Sequence, residues 1–262
     1  MSHFSNAYAD PDRAASYSSL EFPATYALAF RDLPALFRKH GVAPDPGGLR
    51  ALDFGCGAGR STRFLRGLGF NVLGVDISEA MLARARELDA DAGVGAGDRY
   101  LLIDDDPAAL PPGPFHLILA AYPFDNIPGE DHRAALLTGL RERLAPARST
   151  ESGSAGRLVL LASSPELYVH EWATFTTAAY PENASAGSGD PVRIAIKEGG
   201  DPRPVHDLRW FDRDYRSAFD RAGLEVLDVH RPLATGAEPH AWVNETEVAP
   251  WVIYVAGASS RT

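Results

Sequence analysis

The stretch LRALDFGCGAGRS, residues 49–61, decides the fold. Its apolar run at 51–54 predicts a buried strand, and a helical pattern begins at Ser61. Three glycines at alternate positions separate the two elements: Gly55, Gly57 and Gly59. Because they lack a Cβ, they allow a sharp turn and the close approach of a ligand, and the N–H groups that open the helix would face it. The stretch therefore predicts a nucleotide-like ligand on a strand–helix turn.

The spacing of the glycines decides between ligand classes. A dinucleotide fingerprint requires Gly-x-Gly-x-x-Gly, and the position of its last glycine is occupied here by Arg60. The pattern that starts at Asp53 is instead Asp-x-Gly-x-Gly-x-Gly. It resembles the first motif of the class I (Rossmann-like) methyltransferases, which bind S-adenosylmethionine. An NAD(P)-dependent oxidoreductase on a similar sheet is the alternative.

The bulk composition indicates a folded protein with a small-molecule partner. The chain has 262 residues, of which 45% are hydrophobic, so it has material for a sizeable core in one large or two small domains. Its net charge is −10, with 35 acidic and 25 basic residues. Because phosphate binding requires a basic face and no run of lysine or arginine is present, this balance argues against nucleic acid as a partner.

Cysteine usage and the start of the chain indicate the compartment. The single cysteine, Cys56, excludes an intramolecular disulfide and favours a reducing environment. The first residues show no basic region followed by an apolar stretch, and no apolar run reaches the roughly 20 residues that a membrane span requires. We therefore expect a soluble, cytoplasmic protein without a membrane partner. The abundance of alanine, arginine and glycine suggests a bacterial source.

Strands and helices alternate along most of the chain. Apolar runs predict five successive strands, at 50–54, 71–75, 100–103, 116–120 and 158–162. Amphipathic helices between them imply parallel strands that are covered on both faces. The last two strands, 224–229 and 251–256, are joined by residues 230–250 without a helical stripe. Because a parallel pair needs a crossover, we expect these two strands to pair antiparallel.

The predicted fold is α/β, a single domain over residues 1–262 with a seven-stranded, mostly parallel sheet, an antiparallel last strand and helices on both faces. This arrangement also resembles the class I methyltransferases. Residues 1–48, with two short helices separated near Pro34, are expected to form an N-terminal lid. Residues 163–209 are too long for a simple connection and are expected to form a cap insertion over the acceptor pocket. Within it, the aromatic piece 168–180 is predicted to be helical.

Two carboxylates beside the glycine turn are candidates for cofactor binding. Asp76 ends the second strand, where its oxygens would accept hydrogen bonds from both ribose hydroxyls of a nucleoside. Capping of the next helix is the alternative role, but Ser78 is better placed for that. Asp53 is a candidate for holding the methionine amino group of the cofactor, directly or through water, a role compatible with capping the glycine turn.

Two later segments extend the resemblance. Residues 104–106 (Asp-Asp-Asp), followed by 109–111 (Ala-Leu-Pro), resemble the family's Asp-Ala-x-x-Leu-Pro segment, whose Asp bonds the adenine amino group. The register places Asp106 on that position, and Asp105 is the next candidate. Residues 115–120 resemble the family's fourth motif.

The complete predicted cofactor set combines the turn, these segments and one aromatic residue near the N-terminus. It comprises Asp53, Gly55, Cys56, Gly57, Gly59, Asp76, Ile77, Asp105, Asp106, Ala120 and Tyr17. Cys56 is interpreted as a small residue in a tight turn, because nothing near it in sequence would activate a nucleophilic thiol. No residue is assigned to a metal ion.

The acceptor side is predicted from aromatic and polar residues outside the glycine turn. Residues 122–126 follow the fourth strand at the carboxyl edge of the sheet, where open α/β sheets bind ligands. There Tyr122 and Phe124 are candidates for walls of the methyl-transfer channel, and Asp125 and Asn126 for orienting a polar acceptor; an ordinary turn is the alternative. Three further aromatic residues are expected to cover the pocket: Trp172, Phe175 and Trp242.

No motif identifies a general base. The candidates lie in the insertion or in the late loop, and each is equally explained as a surface or packing residue: His170, His206, His230, His240 and Glu245. A sulfonium methyl group is already activated, so alignment and the exclusion of water are expected to supply much of the rate. A base is needed only where the acceptor must lose a proton to react.

The leading hypothesis is an S-adenosylmethionine-dependent methyltransferase that acts on a nitrogen or oxygen atom of a small, aromatic or natural-product-like molecule. The glycine spacing and the antiparallel last strand speak against the oxidoreductase. A third possibility is a non-catalytic module that binds S-adenosylmethionine. The aromatic insertion speaks against it, because a binding module needs no shaped acceptor pocket.

Overall fold

A computed structural model of the chain describes residues 24–43, 48–93, 99–146, 155–197 and 203–259. The described residues form ten strands: β1 (Arg50–Phe54), β2 (Asn71–Asp76), β3 (Tyr100–Leu102), β4 (Leu117–Ala121), β5 (Arg157–Ser163), β6 (Phe175–Thr176), β7 (Pro191–Ile196), β8 (Val205–Leu208), β9 (Leu224–His230) and β10 (Trp251–Ala258). Tyr17, a predicted cofactor contact, lies outside the described residues.

Within the same ranges, the chain forms six α-helices: α1 (Thr25–Arg31), α2 (Leu33–Lys39), α3 (Arg60–Gly67), α4 (Glu79–Asp91), α5 (Glu130–Glu142) and α6 (Asp212–Arg221). The predicted pair of short helices near Pro34 corresponds to α1 and α2, and Pro34 occupies the first turn of α2, where its missing N–H costs no helical hydrogen bond. None of the helices in the described ranges is both long and apolar enough to cross a membrane.

Seven strands form one sheet in the order β3-β2-β1-β4-β5-β10-β9. The first five pair parallel, and β10 runs antiparallel to both of its neighbours, β5 and β9. The predicted mostly parallel sheet with an antiparallel last strand is confirmed; that strand lies inside the sheet rather than at its edge. Strand order reverses between β1 and β4, so the connections that leave these strands diverge and open a crevice at their carboxyl ends.

Helices cover both faces of the sheet, as predicted. Alternate side chains of β5 point to opposite faces: Val159 and Leu161 join one buried cluster, and Leu158 and Leu160 join the other. The first cluster includes side chains of α1, α2, α3 and the insertion at 163–209, and the second includes side chains of α5 and α6. The sheet is therefore buried on both sides, which explains why its strands read as continuous apolar runs.

The insertion differs from the sequence prediction. Its aromatic piece 168–180 is not a helix: a 3₁₀ turn at Pro165–Tyr168 is followed by irregular backbone and the two-residue strand β6. Strands β6, β7 and β8 form a second, antiparallel sheet of three strands. The helical spacing of the aromatic residues led to a wrong prediction. The backbone here is irregular, and side chains rather than a helix provide hydrogen-bond partners for its polar groups. Asn183, for example, donates to the Tyr168 carbonyl at 3.0 Å.

A single buried carboxylate, that of Glu245, joins three segments that are distant in sequence. Its Oε1 accepts hydrogen bonds from Thr25 Oγ1 at 2.5 Å and from the Ala173 N–H at 2.6 Å. Its Oε2 accepts from the N–H groups of Val243 at 2.8 Å and Asn244 at 3.2 Å. The start of α1, the insertion and the loop 230–250 therefore share one acceptor, whose side chain is fully buried.

Glu245 is thus placed as a structural residue, and its predicted role as a general base has no support in this position. Burial by itself raises the pKa of Glu245, but the hydrogen bonds from Thr25, Val243 and Ala173 outweigh it and lower the pKa below its ordinary value. The carboxylate is held in its charged form by groups of the protein itself. We call α1, the insertion and the loop 230–250 the roof, because they assemble around this residue.

We predict that Glu245→Gln destabilises the folded chain by about 1.5–3 kcal/mol at neutral pH, since an amide cannot accept from all the donors that surround this side chain. Because hydrogen bonding lowers the pKa of Glu245, its stabilisation is complete above the ordinary glutamate pKa and is lost as the pH falls through the lowered pKa. The difference in unfolding free energy between the two proteins should therefore shrink below about pH 4. Urea unfolding of both proteins, at neutral pH and below about pH 4, measures this difference.

The matched control is Glu247→Gln, in which the same change is made at an exposed position of the same loop. Its free energy of unfolding should stay within about 0.5 kcal/mol of the wild type. Equal stabilities of the Glu245→Gln and Glu247→Gln variants at neutral pH would contradict the assigned role of Glu245.

Candidate active site

A cleft opens at the carboxyl ends of β1, β2 and β4, and the glycine turn forms one end of it. The φ angles of Gly55, Gly57 and Gly59 are +73°, +51° and +80°, a region that residues with a Cβ rarely adopt. The N–H groups of Gly55 and Cys56 both donate to the Val75 carbonyl, at 2.9 and 3.0 Å. The neighbouring strand β2 therefore fixes the conformation of the turn.

Asp53 lies beneath this turn and is fully buried. Its Oδ2 accepts hydrogen bonds from Ser61 Oγ at 2.7 Å and Thr62 Oγ1 at 2.6 Å, which tie β1 to the first turn of α3. Its Oδ1 is buried and has no hydrogen-bond partner among the described residues. Burial raises the pKa of Asp53 to about 6, with a smaller contribution from the charge of Asp76. A buried, incompletely satisfied carboxylate of this kind is suited to a cationic group bound above the turn.

Asp76 lines the cleft at the end of β2. Its Oδ2 accepts from the Gly57 N–H and its Oδ1 from the Ser78 N–H, both at 2.8 Å. Burial raises the pKa of Asp76, and the backbone hydrogen bonds act in the opposite direction. The side chain of Ser78 accepts from the Met81 N–H and caps α4, as predicted. Because an ionised carboxylate has about four acceptor positions, Asp76 retains capacity for two ligand hydroxyls.

The third predicted segment places a different aspartate in the cleft from the one that the register favoured. Asp105 lines the cleft, and its Oδ1 lies 2.9 Å from Nε2 of His132. Asp106 instead caps the 3₁₀ turn at Pro107–Ala109, where its Oδ1 accepts from the Ala108 N–H at 2.8 Å. The Asp106 carboxylate is engaged in capping the local turn. Asp105 is therefore the better placed of the two to contact an adenine base in the cleft.

The remaining members of the cofactor set are mostly in position. Ile77 and Cys56 line the cleft, and burial raises the pKa of the Cys56 thiol well above its ordinary value, which leaves the thiol in its unreactive form. Ala120 is fully buried within the sheet, and its neighbour Ala121 lines the cleft in its place. A one-residue shift along a strand reverses the face, which accounts for this difference.

Of the predicted acceptor residues, four line the cleft: Tyr122, Asp125, Asn126 and Phe175. Phe124 does not, because it is fully buried against Phe54 with a ring separation of 5.9 Å. Trp172 is fully buried as well, and its indole N–H donates to the Leu167 carbonyl at 2.8 Å. Trp242 is half-buried and its ring contacts His240 rather than the cleft. Trp172 therefore belongs to the buried core and does not line the cleft.

An aromatic wall forms part of the cleft lining, beside Arg60 and the glycine turn. The ring of Tyr122 lies 5.0 Å from that of Trp251 and 5.3 Å from that of Tyr26, and Phe175 lies 6.0 Å from Trp251. Tyr122 has a φ of +71°, a strained backbone conformation for a bulky residue. Neither Tyr26 nor Trp251 was predicted from the sequence to line the cleft, because both lie within regular apolar patterns and only the packing brings them there.

Asp125 lies beside the aromatic wall, in the same turn as Tyr122. It is buried and accepts from the Ser163 N–H at 3.0 Å and from the Tyr215 hydroxyl at 2.9 Å. Burial raises the pKa of Asp125 to about 6, and the buried guanidinium of Arg133 opposes that effect. Arg133 itself stacks 4.0 Å from the ring centre of Trp210. These contacts tie the turn after β4 to α5 and α6 and fix this edge of the cleft.

None of the predicted base candidates is among the cleft-lining residues of the described ranges. His170 lies 3.1 Å from the Glu166 carboxylate on the surface, and His230 lies 2.7 Å from Asp32. His206 is exposed on β8, and His240 packs on the late loop. Glu245 is enclosed in the roof, as described above. In the part of the chain that the structure describes, no three or more His, Cys, Asp or Glu side chains are grouped as a metal site.

Three charged residues in the cleft lining were not singled out from the sequence: Arg60, Arg63 and Asp207. Arg60, the first residue of α3, places its guanidinium 5.1 Å from the ring centre of Tyr26. Asp207 lines the cleft from β8. Arg60 directly follows the glycine motif, so its position in the sequence was enough to indicate that it lies beside the cleft. Asp207 lies in a segment for which the sequence analysis predicted no element, and only the pairing of β7 with β8 brings it to the cleft.

Comparisons with known proteins agree with this architecture. Residues 52–147 match a family model described as a methyltransferase domain. An uncharacterised methyltransferase of Geobacillus sp. (strain WCH70) is 34% identical over 87 residues, which cover 32% of this chain and 38% of that protein. The chain thus aligns with less than half of that relative. A ubiquinone biosynthesis O-methyltransferase of Pseudomonas aeruginosa is 26% identical over 184 residues, 70% of this chain and 67% of that protein.

The fold is shared with solved structures over nearly its whole length. A crystal structure of an S-adenosylmethionine-dependent methyltransferase from Clostridium acetobutylicum superposes with a TM-score of 0.59 and covers 93% of this chain and 94% of that one, at 13% identity. The matched domain model spans β1 to α5, the elements that carry the glycine turn, Asp76 and Asp105. Residues 52–147 thus match a methyltransferase domain, and the sheet has the fold of solved S-adenosylmethionine-dependent methyltransferases.

Proposed function

We propose that this chain transfers a methyl group from S-adenosylmethionine to a nitrogen or oxygen atom of a small, ring-bearing molecule. The observation that carries the proposal is the continuity of the cleft. Its lining combines the glycine turn and Asp76, beside which we place the nucleoside, with the aromatic wall of Tyr122 and Trp251, beside which we place the acceptor. One cleft therefore presents residues suited to a donor and residues suited to an acceptor.

The residues at the glycine end fit the cofactor in three places. Asp76 faces the cleft with acceptor capacity for two ribose hydroxyls, and Asp105 is placed to accept from the adenine amino group. The unpartnered Oδ1 of Asp53 offers a negative charge beneath the turn, directly or through water, to the methionine ammonium group. The helix N-terminus at Arg60 adds the polar N–H groups of the first turn.

The bound sulfonium supplies an activated methyl group, so this chain has to align the acceptor and exclude water. We assign that task to the roof, including the proposed cap at 163–209, and to the N-terminal segment up to residue 48. The apolar side chains of Leu167, Phe175 and Ile194 line the cleft from the roof. A cleft that holds the acceptor rigidly and excludes water would lower the entropic and solvation cost of the reaction, so that the described part of the site would need no histidine base.

The ring character of the acceptor is inferred from the aromatic wall of the cleft and from the name of one relative. The aromatic wall is suited to a flat apolar molecule, because offset and edge-to-face ring contacts stabilise such ligands. The Pseudomonas aeruginosa relative is named for ubiquinone biosynthesis, and ubiquinone contains a ring. The acidic balance of the chain, −10 overall, disfavours nucleic acid as the acceptor.

Calorimetry and a transfer assay test the proposal. Titration of the chain with S-adenosylmethionine should show saturable binding, and titration with NAD should show none. Incubation with S-adenosylmethionine labelled in its methyl group and a panel of ring-bearing amines and hydroxyl compounds should transfer label to at least one. Failure to bind S-adenosylmethionine would overturn the proposal, and binding without any transfer across the panel would favour a binding module.

We predict that Asp76→Ala weakens S-adenosylmethionine binding by about 1–3 kcal/mol, because two hydrogen bonds to a charged acceptor are lost. The same change removes the acceptor of the Gly57 N–H and loosens the turn. Calorimetry of the folded variant measures the loss, with circular dichroism as the check on folding. An unchanged affinity would remove Asp76 from the cofactor site.

A pair of neighbouring variants tests which aspartate contacts the adenine. Asp105→Ala should weaken the binding of S-adenosylhomocysteine about tenfold, because a hydrogen bond to a charged acceptor is lost. Asp106→Ala should leave the affinity nearly unchanged, because its carboxylate caps a turn outside the cleft lining. The opposite order of effects would restore Asp106 to the adenine position.

We also predict that cofactor binding releases protons near pH 6 and not near pH 8. Burial raises the pKa of Asp53 to about 6, so its folded form binds a proton over a pH range in which the unfolded chain does not. Stability of the ligand-free chain therefore falls as the pH rises through this range. A cationic ligand favours the ionised carboxylate and expels that proton.

Calorimetry in two buffers of different ionisation enthalpy detects the release. At pH 6 the apparent binding enthalpies should differ between the buffers, and at pH 8 they should agree. The isosteric variant Asp53→Asn should release fewer protons at pH 6. Identical enthalpies in both buffers at pH 6 for the wild-type chain would rule out this coupling.

A further inference from the structure

One face of the second sheet forms part of the cleft lining, and its Phe175 contacts the aromatic wall at Trp251. In the register of β7 and β8, Val192 lies opposite Asp207, and Ile194 lies opposite Val205. Because side chains alternate along a strand, these four residues and Ile196 share a face. Ile194, Ile196, Val205 and Asp207 all line the cleft. Asp207 is therefore a single carboxylate on an otherwise apolar surface that faces the acceptor end.

Asp207 is held in place by a buried tyrosine. The hydroxyl of Tyr168 donates to Asp207 Oδ2 at 2.9 Å, and the Tyr168 side chain is buried within the insertion. Burial raises the pKa of the Tyr168 hydroxyl well above its ordinary value, and the charge of Asp207 adds to that shift, so the tyrosine stays a donor. A carboxylate that is oriented from behind by a protein donor meets the cleft in one geometry, which favours a role in recognition.

The other charges of the cleft favour a cationic acceptor. The charged side chains that line it in the described ranges are four acidic, Asp76, Asp105, Asp125 and Asp207, and two basic, Arg60 and Arg63. Arg63 is already paired with the buried carboxylate of Asp89. Electron-rich rings beside a carboxylate attract ammonium groups.

We propose that the methyl acceptor is an amine attached to an apolar ring, and that Asp207 binds its nitrogen while Tyr168 acts as the positioning residue. The inference rests on the proposed methyl transfer and narrows it from nitrogen or oxygen to nitrogen. The ring lies against the aromatic wall of Tyr122 and Trp251, and the amine points to the cap sheet.

The chemistry of such a step balances without a further reactant. The ammonium form of the acceptor gives one proton to the Asp207 carboxylate, a transfer that an apolar surrounding favours because it removes two charges. The nitrogen lone pair that is left forms the new N–C bond to the methyl group. The electron pair of the broken S–C bond remains on the sulfur, which becomes a neutral thioether.

Binding of three matched probes tests the proposal on the full-length chain saturated with S-adenosylhomocysteine. They are 2-phenylethylamine, 2-phenylethanol and 3-phenylpropanoate, which present a cation, a neutral group and an anion at similar distance from one ring. Tryptophan fluorescence reports binding, because Trp251 lies in the cleft. The wild-type chain should bind the amine about tenfold more tightly than the alcohol, and the anion no better than the alcohol.

Three variants distinguish the specific effect of Asp207 from a general effect of negative charge on the insertion. Asp207→Asn should remove the preference for the amine and leave the affinity for S-adenosylhomocysteine unchanged. Glu182→Gln removes the same charge from the outer surface of the insertion, where Glu182 pairs with Arg193, and should keep the preference. Tyr168→Phe should weaken the amine preference while leaving Asp207 in place, a change that a purely structural hydroxyl would not cause.

The possible results distinguish this inference from the proposed function. An amine preference that persists in Asp207→Asn, or a wild-type chain that prefers the alcohol or the anion, overturns the inference while the proposed function stands. Failure of the wild-type chain to bind S-adenosylhomocysteine overturns both. Should Asp207→Asn not fold, the order of the three probes on the wild-type chain still decides.

Discussion

The structure depends on how strand β1 leaves the sheet. Its turn needs three glycines with positive φ, and the N–H groups of Gly55 and Cys56 both bond the Val75 carbonyl of β2. Asp53 below the turn fastens the first residues of α3 through Ser61 and Thr62. This one arrangement sets the direction of α3 and opens the crevice beside β4. It also leaves a buried carboxylate under the place where we propose that the cationic cofactor binds.

A second constraint assembles the other half of the site. The roof consists of α1, the insertion and the loop 230–250, none of which belongs to the alternating strands and helices. The Thr25 hydroxyl and backbone N–H groups of the other two segments donate to Glu245, and the indole N–H of Trp251 donates to the Thr25 carbonyl at 2.7 Å. The first helix of the roof and the last strand of the sheet thereby become neighbours. These irregular segments are stable here because the buried Glu245 carboxylate accepts hydrogen bonds from donors of all three.

The two halves differ in how far the sequence predicted them. The glycine turn and Asp76 follow from local spacing, since a strand, a turn and a helix start lie within a few residues of one another. Asp105 and Asp106 show where such reasoning stops. Both follow the same strand, and only the 3₁₀ turn that Asp106 caps decides which of them faces the cleft. The aromatic insertion was predicted as helix, because helical spacing there reflects packing into one cluster rather than a helical backbone.

The sequence by itself determined the α/β class, the parallel strands with an antiparallel last one, and the place of the glycine turn at the carboxyl edge of the sheet. These depend on short-range patterns: apolar runs, glycine spacing and helix starts. Tertiary structure alone decided the acceptor end, where Tyr26, Trp251 and Asp207 come together from the first helix, the last strand and the second sheet. Contacts between residues so far apart in the chain leave no period in the sequence, since they arise from the register of paired strands and the packing of irregular segments around Glu245.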